Sequence, residues 1–305
     1  MPEARTTTGP GQKLIPALIK FQRLVSRARI GEHEQDEIRI EYLEAGDPDQ
    51  PTIVYLHGFG DVKDSFILNA MRLSRQYHVV IPDIPGFGGS CKSPHLTYNL
   101  DNYGRWLAAF LRDLNAGPVH LLGNSLGGGC ALATALECPD LLRSLTVIDP
   151  AGIVDPAVYS IYHQITSGRN LFMVHNRFEY DNFLNHVFFR RPPWPAMIYD
   201  YYFELFRENR SWHGKLIGDL LNNMAEIDDD AVAWSLNERV REITIPTLIL
   251  WGDRDRLFPV ALADTLHQAI PGSRLHIFPD TGHSVQIEAP GRFLKVYRPF
   301  LDTFA

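Results

Sequence analysis

The chain has 305 residues, 45% hydrophobic, 21% charged and 11% aromatic, which is enough apolar mass for one large domain with an insertion or for two ordinary domains. Its net charge of −7 excludes the strongly basic face that a nucleic-acid partner demands. Its three cysteines, Cys91, Cys130 and Cys138, are odd in number and lack C-x-x-C spacing, so they read as buried thiols of a reducing, cytoplasmic protein rather than a disulfide framework or a zinc site.

The opening "MPEARTTTGPGQ" lacks the apolar centre of a secretory signal. The run "LIPALI", Leu14 to Ile19, falls far short of the ~20 residues a membrane span needs. From Ala4 to Gly31 there is no acidic residue, while Arg5, Lys13, Lys20, Arg23, Arg27 and Arg29 are basic. On a helical projection Leu14, Leu18, Phe21 and Val25 share one face, and Lys13, Lys20, Arg23 and Arg27 share the other. Residues 1–31 therefore read as an amphipathic basic arm. Two destinations suit it: the protein's own surface, or peripheral contact of residues 13–29 with anionic lipid.

From Glu37 the pattern turns to strands. "IRIEYLEAG", Ile38 to Gly46, alternates as a half-buried strand does. "PTIVYLHG", "HVVIPDIPG", "VHLLGN", "SLTVIDP", "TLILWGD" and "RLHIFPD" follow as near-continuous apolar runs, which suit parallel strands covered on both faces. Helix-length segments lie between them, among them Asn102 to Leu114 and Leu126 to Glu137. This alternation predicts an α/β fold with a mostly parallel central sheet flanked by helices. It fails from Ile153 to Ile243, a segment rich in aromatic residues, interrupted by "RRPPWP" and without a strand run. Residues 153–243 are expected to form a mainly helical cap inserted between two core segments, 32–152 and 244–305.

The chemistry centres on "GNSLGGG", Gly123 to Gly129. G-x-S-x-G is weak alone, but here it follows a strand and opens a helix, as a nucleophile elbow requires. Ser125 would sit in a strained turn, with Gly123 and Gly127 small enough to let strand and helix approach. A serine hydroxyl needs a base and an acid. His283 in "FPDTGHSVQIEAP" is the candidate base, in a glycine-containing loop just after the last strand. Asp255 in "LILWGDRDRLFP" is the candidate acid; Asp149, ending "TVID", is second, and Asp253 a further rival. "YLHGFGD" turns after another strand and exposes backbone N–H groups suited to a developing oxyanion. Those of Phe59 and Leu126 are assigned to that hole.

Other residues read more plainly. His57 is expected to be a structural hydrogen-bonder and Asp83 to fix the loop after it. That loop lacks G-x-G-x-x-G spacing, so no dinucleotide cofactor is expected. His33 has no second histidine four residues on, and His163, His175, His186 and His213 lack ligand-like spacing; no metal is expected.

"HGFGDVKDSF", "PDIPGFGGS", "GNSLGGG", "IDPAGI", "WGDRDRL" and "DTGHSVQIEAP" resemble the α/β-hydrolase superfamily. More narrowly they are similar to bacterial monoacylglycerol lipases, family V lipases and ABHD6-type monoacylglycerol lipases. The resemblance covers residues 37–152 and 244–303 and extends weakly into the cap at "NLFMVHNRFEYDNFLNHVFFRRPPWP". It implies the same order, Ser125, Asp255, His283, as nucleophile, acid and base, with Phe59 and Leu126 as oxyanion donors. It implies an esterase or lipase, a monoacylglycerol lipase in its narrower form, acting on small-molecule esters with a hydrophobic acyl chain. Members often carry an N-terminal membrane anchor, and the arm here is shorter and more basic than a spanning helix. Two other readings use the same residues: a C–C bond hydrolase of ring-cleavage products, and a ligand receptor with vestigial turnover.

Overall fold

The computed structural model describes residues 11–221 and 235–304. Arg5 and residues 222–234 of the expected cap lie outside the described residues.

Eight strands form one sheet in the order β1-β2-β4-β3-β5-β6-β7-β8. They are β1 (Arg29–Gln35), β2 (Ile38–Ala45), β3 (Thr52–Leu56), β4 (His78–Pro82), β5 (Val119–Asn124), β6 (Leu142–Ile148), β7 (Thr247–Gly252) and β8 (Arg274–Phe278). β1 pairs antiparallel with β2 and β2 antiparallel with β4, and every pairing from β4 through β8 is parallel. The parallel strands β3, β4, β5 and β7 are buried along their whole length because both faces are covered. Their apolar runs hide an alternation: Val54, Leu56 and Val80 enter one core, while Ile53, Tyr55, Val79 and Ile81 enter the other.

The first core is the larger. It holds α3 (Leu100–Leu114) and α4 (Leu126–Glu137), and it runs into the aromatic residues of the insertion. α3 is capped by Asn99, whose side chain accepts from Asn102 N–H at 2.9 Å, which explains why it begins before the residue the periodicity suggests. The second core holds α2 (Ile67–Leu73) and the C-terminal helix. In the insertion, α5 (Ile161–Thr166), α6 (Arg177–Val187), α7 (Ala196–Glu208) and α8 (Arg210–Leu220) lie over the carboxyl ends of the strands, and no strand occurs there among the described residues. The chain returns through β7, α9 (Ala261–Ala269), β8, α10 (Val285–Glu288) and α11 (Pro290–Asp302).

The N-terminal arm differs from expectation in two ways. Its helix, α1 (Gly11–Val25), stops early, and Arg29–Gly31 already belong to the edge strand β1. The reason is local. Arg27 takes a positive φ of 54°, Ala28 N–H returns to the Arg23 carbonyl, and Arg29 begins a hairpin whose turn places Asp36 at φ 55°. The helix also docks by a different face. Ile15 is 4% exposed against the protein, while Leu14, Leu18, Phe21, Leu24 and Val25 face outward, Leu24 at 74%. Arg23 turns inward and makes two 2.6 Å bonds to Asp64, which fixes α1 beside the turn that follows β3. Among the described residues no helix is long and apolar enough to cross a membrane.

Candidate active site

β5 ends at Asn124 and α4 starts at Leu126, so Ser125 alone makes the turn. Its backbone takes φ 56° and ψ −123°, an unfavourable region for a residue with a side chain. The turn closes only because its neighbours lack side chains. A Cβ on Gly123 would stand 2.1 Å from the Gly127 carbonyl oxygen, and one on Gly127 would stand 2.2 Å from that of Leu56. Ser125 is held by its own backbone: its N–H donates to Ile148 at 2.9 Å, and its carbonyl accepts from Ala151 N–H at 2.9 Å.

His283 and Asp255 come together from two later loops. The His283 Nδ1–H donates to Asp255 Oδ2 at 2.7 Å, with both side chains buried. The other carboxylate oxygen of Asp255 accepts from Leu257 N–H at 2.7 Å and Phe258 N–H at 3.0 Å. The carboxylate is thus fully occupied and aimed. His283 Nε2 is buried without a partner, and it lines the same cavity as Ser125; the Ser125–His283 hydrogen bond is not closed in this conformation.

The histidine loop is pinned from two directions. Below it, Asn124 Nδ2 donates to the His283 carbonyl at 3.2 Å, and Gln286 Nε2 donates to Asn124 Oδ1 at 3.0 Å. Beside it, Glu288 accepts from Gly282 N–H at 3.1 Å and from cap residues Phe189 and Arg190, each at 3.0 Å. Glu288 is therefore a tie between the His283 loop and the cap, and nothing in its sequence position signals that.

The other two candidate acids hydrogen-bond elsewhere. Asp149 sits beside Asp255 and accepts from Gly252 N–H at 3.0 Å rather than from His283. Burial and the neighbouring Asp255 charge push its pKa well above the usual carboxylate range. Asp253 accepts from Thr281 N–H at 3.3 Å. Ligand atoms of Asp149, Asp255 and His283 cluster within 4.8 Å. The 2.7 Å contact inside that cluster is a direct hydrogen bond, shorter than the spacing of two ligands on one ion.

The loop after β3 supplies the remaining wall. His57 is fully buried; its Nδ1–H donates to Gly58 carbonyl at 2.8 Å and its Nε2 accepts from Ile84 N–H at 3.0 Å, a structural role. Asp83 accepts from Lys63 N–H at 2.6 Å and Gly89 N–H at 2.7 Å, tying this loop to the next. Among the described residues no turn, loop or cap bond engages the N–H of Phe59 or of Leu126, the latter standing at a helix start.

Ser125 stands at the junction of two cavities. The larger, about 470 Å³, is walled by the Gly58–Ser65 loop, α1 residues Ile15, Leu18 and Ile19, and cap residues of α6, α7 and α8. The smaller, about 50 Å³, is almost wholly apolar and is lined by Phe59, Leu126, Leu100, Ile161, Ile217 and Phe258 among others. Sequence reasoning missed His213, which lies on the larger cavity with burial lowering its pKa to about 4, and it missed the contribution of α1 to the wall.

A family model for the alpha/beta hydrolase fold matches residues 51–290. Lipase 1 of Psychrobacter immobilis is 25% identical over 86% of this chain and 80% of its own length. Monoacylglycerol lipase abhd6-B of Xenopus laevis is 28% identical over 86% of this chain and 79% of its own. The crystal structure of a bacterial membrane phospholipase A superposes with a TM-score of 0.88 at 29% identity, covering 96% of this chain and 92% of the other. With most of its length matched by the family, and with a strained serine turn at the carboxyl edge of a mainly parallel sheet, the chain belongs to the α/β-hydrolase fold family.

Proposed function

We propose that this hydrolase cleaves carboxylic esters through an acyl-enzyme, with Ser125 as nucleophile, His283 as base and Asp255 as acid. The observation that carries the reading is the buried 2.7 Å His283–Asp255 bond, facing a serine on a strained turn. Ser125 Oγ attacks the ester carbonyl carbon while His283 Nε2 takes its proton. Asp255 holds the imidazole in that tautomer and stabilises the imidazolium. The oxyanion meets the N–H groups of Phe59 and Leu126. Collapse expels the alcohol, which takes the proton from His283. Water then repeats the sequence and releases the acid.

His283 lines the larger cavity and is absent from the smaller, so the leaving alcohol lies in the larger one. The small apolar cavity beside Phe59 and Leu126 takes the first carbons of the acyl chain. Burial of an acyl chain contributes about 0.8 kcal/mol per methylene. The names of the relatives fit this chemistry, two being lipases or monoacylglycerol lipases and one a phospholipase A. Monoacylglycerols are the substrates we would assay first. Ser125-dependent release of octanoate from monooctanoylglycerol supports the reading; equal rates for wild type and Ser125→Ala defeat it.

We further propose that α1 lies on a lipid surface. Leu14, Leu18, Phe21, Leu24 and Val25 are exposed together, and Lys13, Lys20 and Arg27 flank them in solvent. Leu18, Leu68 and Leu205 are exposed and also line the larger cavity, so the apolar face continues into its mouth. Sedimentation of the full chain with anionic vesicles, reduced in Phe21→Asp/Leu24→Asp, is the expected result; equal sedimentation of both proteins contradicts it.

A further inference from the structure

The larger cavity has two unlike walls. Along α1 and α7 it is mainly apolar, with Ile15, Leu18, Ile19, Ile198 and Leu205 beside Gln22 and Tyr202. Along the junction into α8 it carries Asn209 and His213, four residues apart and so on one side of the helix. His213 is 5% exposed, and what it exposes faces this cavity. Its ring is held edge-on by Phe59 at 5.2 Å and Phe206 at 4.6 Å between centroids. Neither ring nitrogen hydrogen-bonds to any described residue; Nδ1 is fully buried, which leaves Nε2 as the nitrogen open to the cavity. A polar nitrogen that faces a substrate cavity without a protein partner has the substrate as its natural partner.

The chemistry of that partner follows from the ring. Burial keeps the imidazole uncharged, and the ammonium of Lys92 on the same cavity opposes its protonation further. In a neutral imidazole the exposed Nε2 donates or accepts according to the tautomer. A hydroxyl, which can do either, suits it better than a carboxylate or phosphate, which asks for a cation. Its position follows from His283: the alcohol moiety must lie in the cavity that His283 lines, and His213 lines that cavity and not the smaller one.

We propose that His213 is a specificity-determining residue that binds a free hydroxyl of the substrate's alcohol moiety, so that the site selects esters of polyols over esters of simple alkanols. This rests on the ester-hydrolase reading above. The contact forms beside Phe59, so a held hydroxyl also fixes the ester relative to the oxyanion donors.

The test uses a matched pair: 1-monooctanoylglycerol and propyl octanoate share an acyl chain and a three-carbon alcohol, and only the first carries free hydroxyls. The wild-type protein is expected to prefer the first. In His213→Phe, which keeps an aromatic ring between Phe59 and Phe206, the ratio of kcat/KM values should fall about tenfold, mostly through KM. His213→Gln, which restores a donor and an acceptor, should recover part of the ratio; His213→Leu, which restores neither, should show the same fall as His213→Phe and carries the test if the Phe variant does not fold. A ratio within about twofold of wild type in His213→Phe, or in His213→Leu where the Phe variant does not fold, overturns the proposal, because a packing role would affect both esters alike. Absence of Ser125-dependent turnover on both esters defeats the ester-hydrolase reading itself, which is a distinguishable result.

Discussion

The floor and the roof of the active-site cavity are built on opposite principles. On the floor, the loops leaving β5, β7 and β8 are held by a web of backbone and side-chain hydrogen bonds. Asp255 uses both oxygens, Asn124 ties Gln286 to the His283 carbonyl, and Glu288 accepts three N–H groups. On the roof, α1 and the cap meet the cavity mainly with rings and aliphatic side chains, and the one imidazole facing it has no partner among the described residues. The floor ties the loops that carry Ser125, Asp255 and His283 to one another, and positioning of reacting groups is what acyl transfer requires. The roof has shape and two or three polar groups, which is what selection among substrates requires.

Changes to the floor should therefore be severe and indifferent to substrate. Ser125→Ala is expected to lower kcat about 10⁴-fold or more on every ester tested, measured against the uncatalysed rate. Asp255→Asn should cost about 10⁴-fold by loss of the correct His283 tautomer. Asp149→Asn should keep kcat within about tenfold, since Asp149 accepts from Gly252 N–H and not from His283, and an amide oxygen can accept the same bond. Equal losses in the two variants would mean that Asp149 shares the acid's role. Gly127→Ala should destabilise the fold by about 3 kcal/mol or prevent folding, read as a fall in Tm, because its Cβ would overlap the Leu56 carbonyl.

A smaller effect separates the sheet from both walls. His120, buried on β5 against Ser144, has its pKa lowered by burial to about 4. The unfolded chain, with a histidine near 6.5, binds the extra proton first, so stability is present above that value and declines as pH falls toward about 4. Between pH 7 and pH 5 this group alone should cost about 2 kcal/mol, and His120→Gln should flatten that slope in chemical denaturation.

Much of the floor was legible in the sequence, because each of its parts is a local rule. Gly123-x-Ser125-x-Gly127 needed only a strand before it and a helix after it. Gly128 and Gly129 are explained by the same crowding: a Cβ on either would stand 2.8 Å from Pro150 or Ala151. The choice between Asp149 and Asp255 was not local. β6 and β7 are neighbours in the sheet, so both residues leave it side by side, and only the direction of each loop separates them. α1 shows the same limit. Leu14 and Leu18 form one apolar row and Ile15 and Ile19 the next, so the pattern predicts a helix without saying which row docks. His213 carries no signal at all until the cap is folded over Phe59.

The central claim, that Ser125 forms a covalent acyl intermediate, is tested most directly by fluorophosphonate labelling followed by mass spectrometry of the intact protein and its peptides. The account requires one adduct per chain, located on Ser125 and abolished in Ser125→Ala. An adduct on another residue, or labelling that persists in Ser125→Ala, would contradict it.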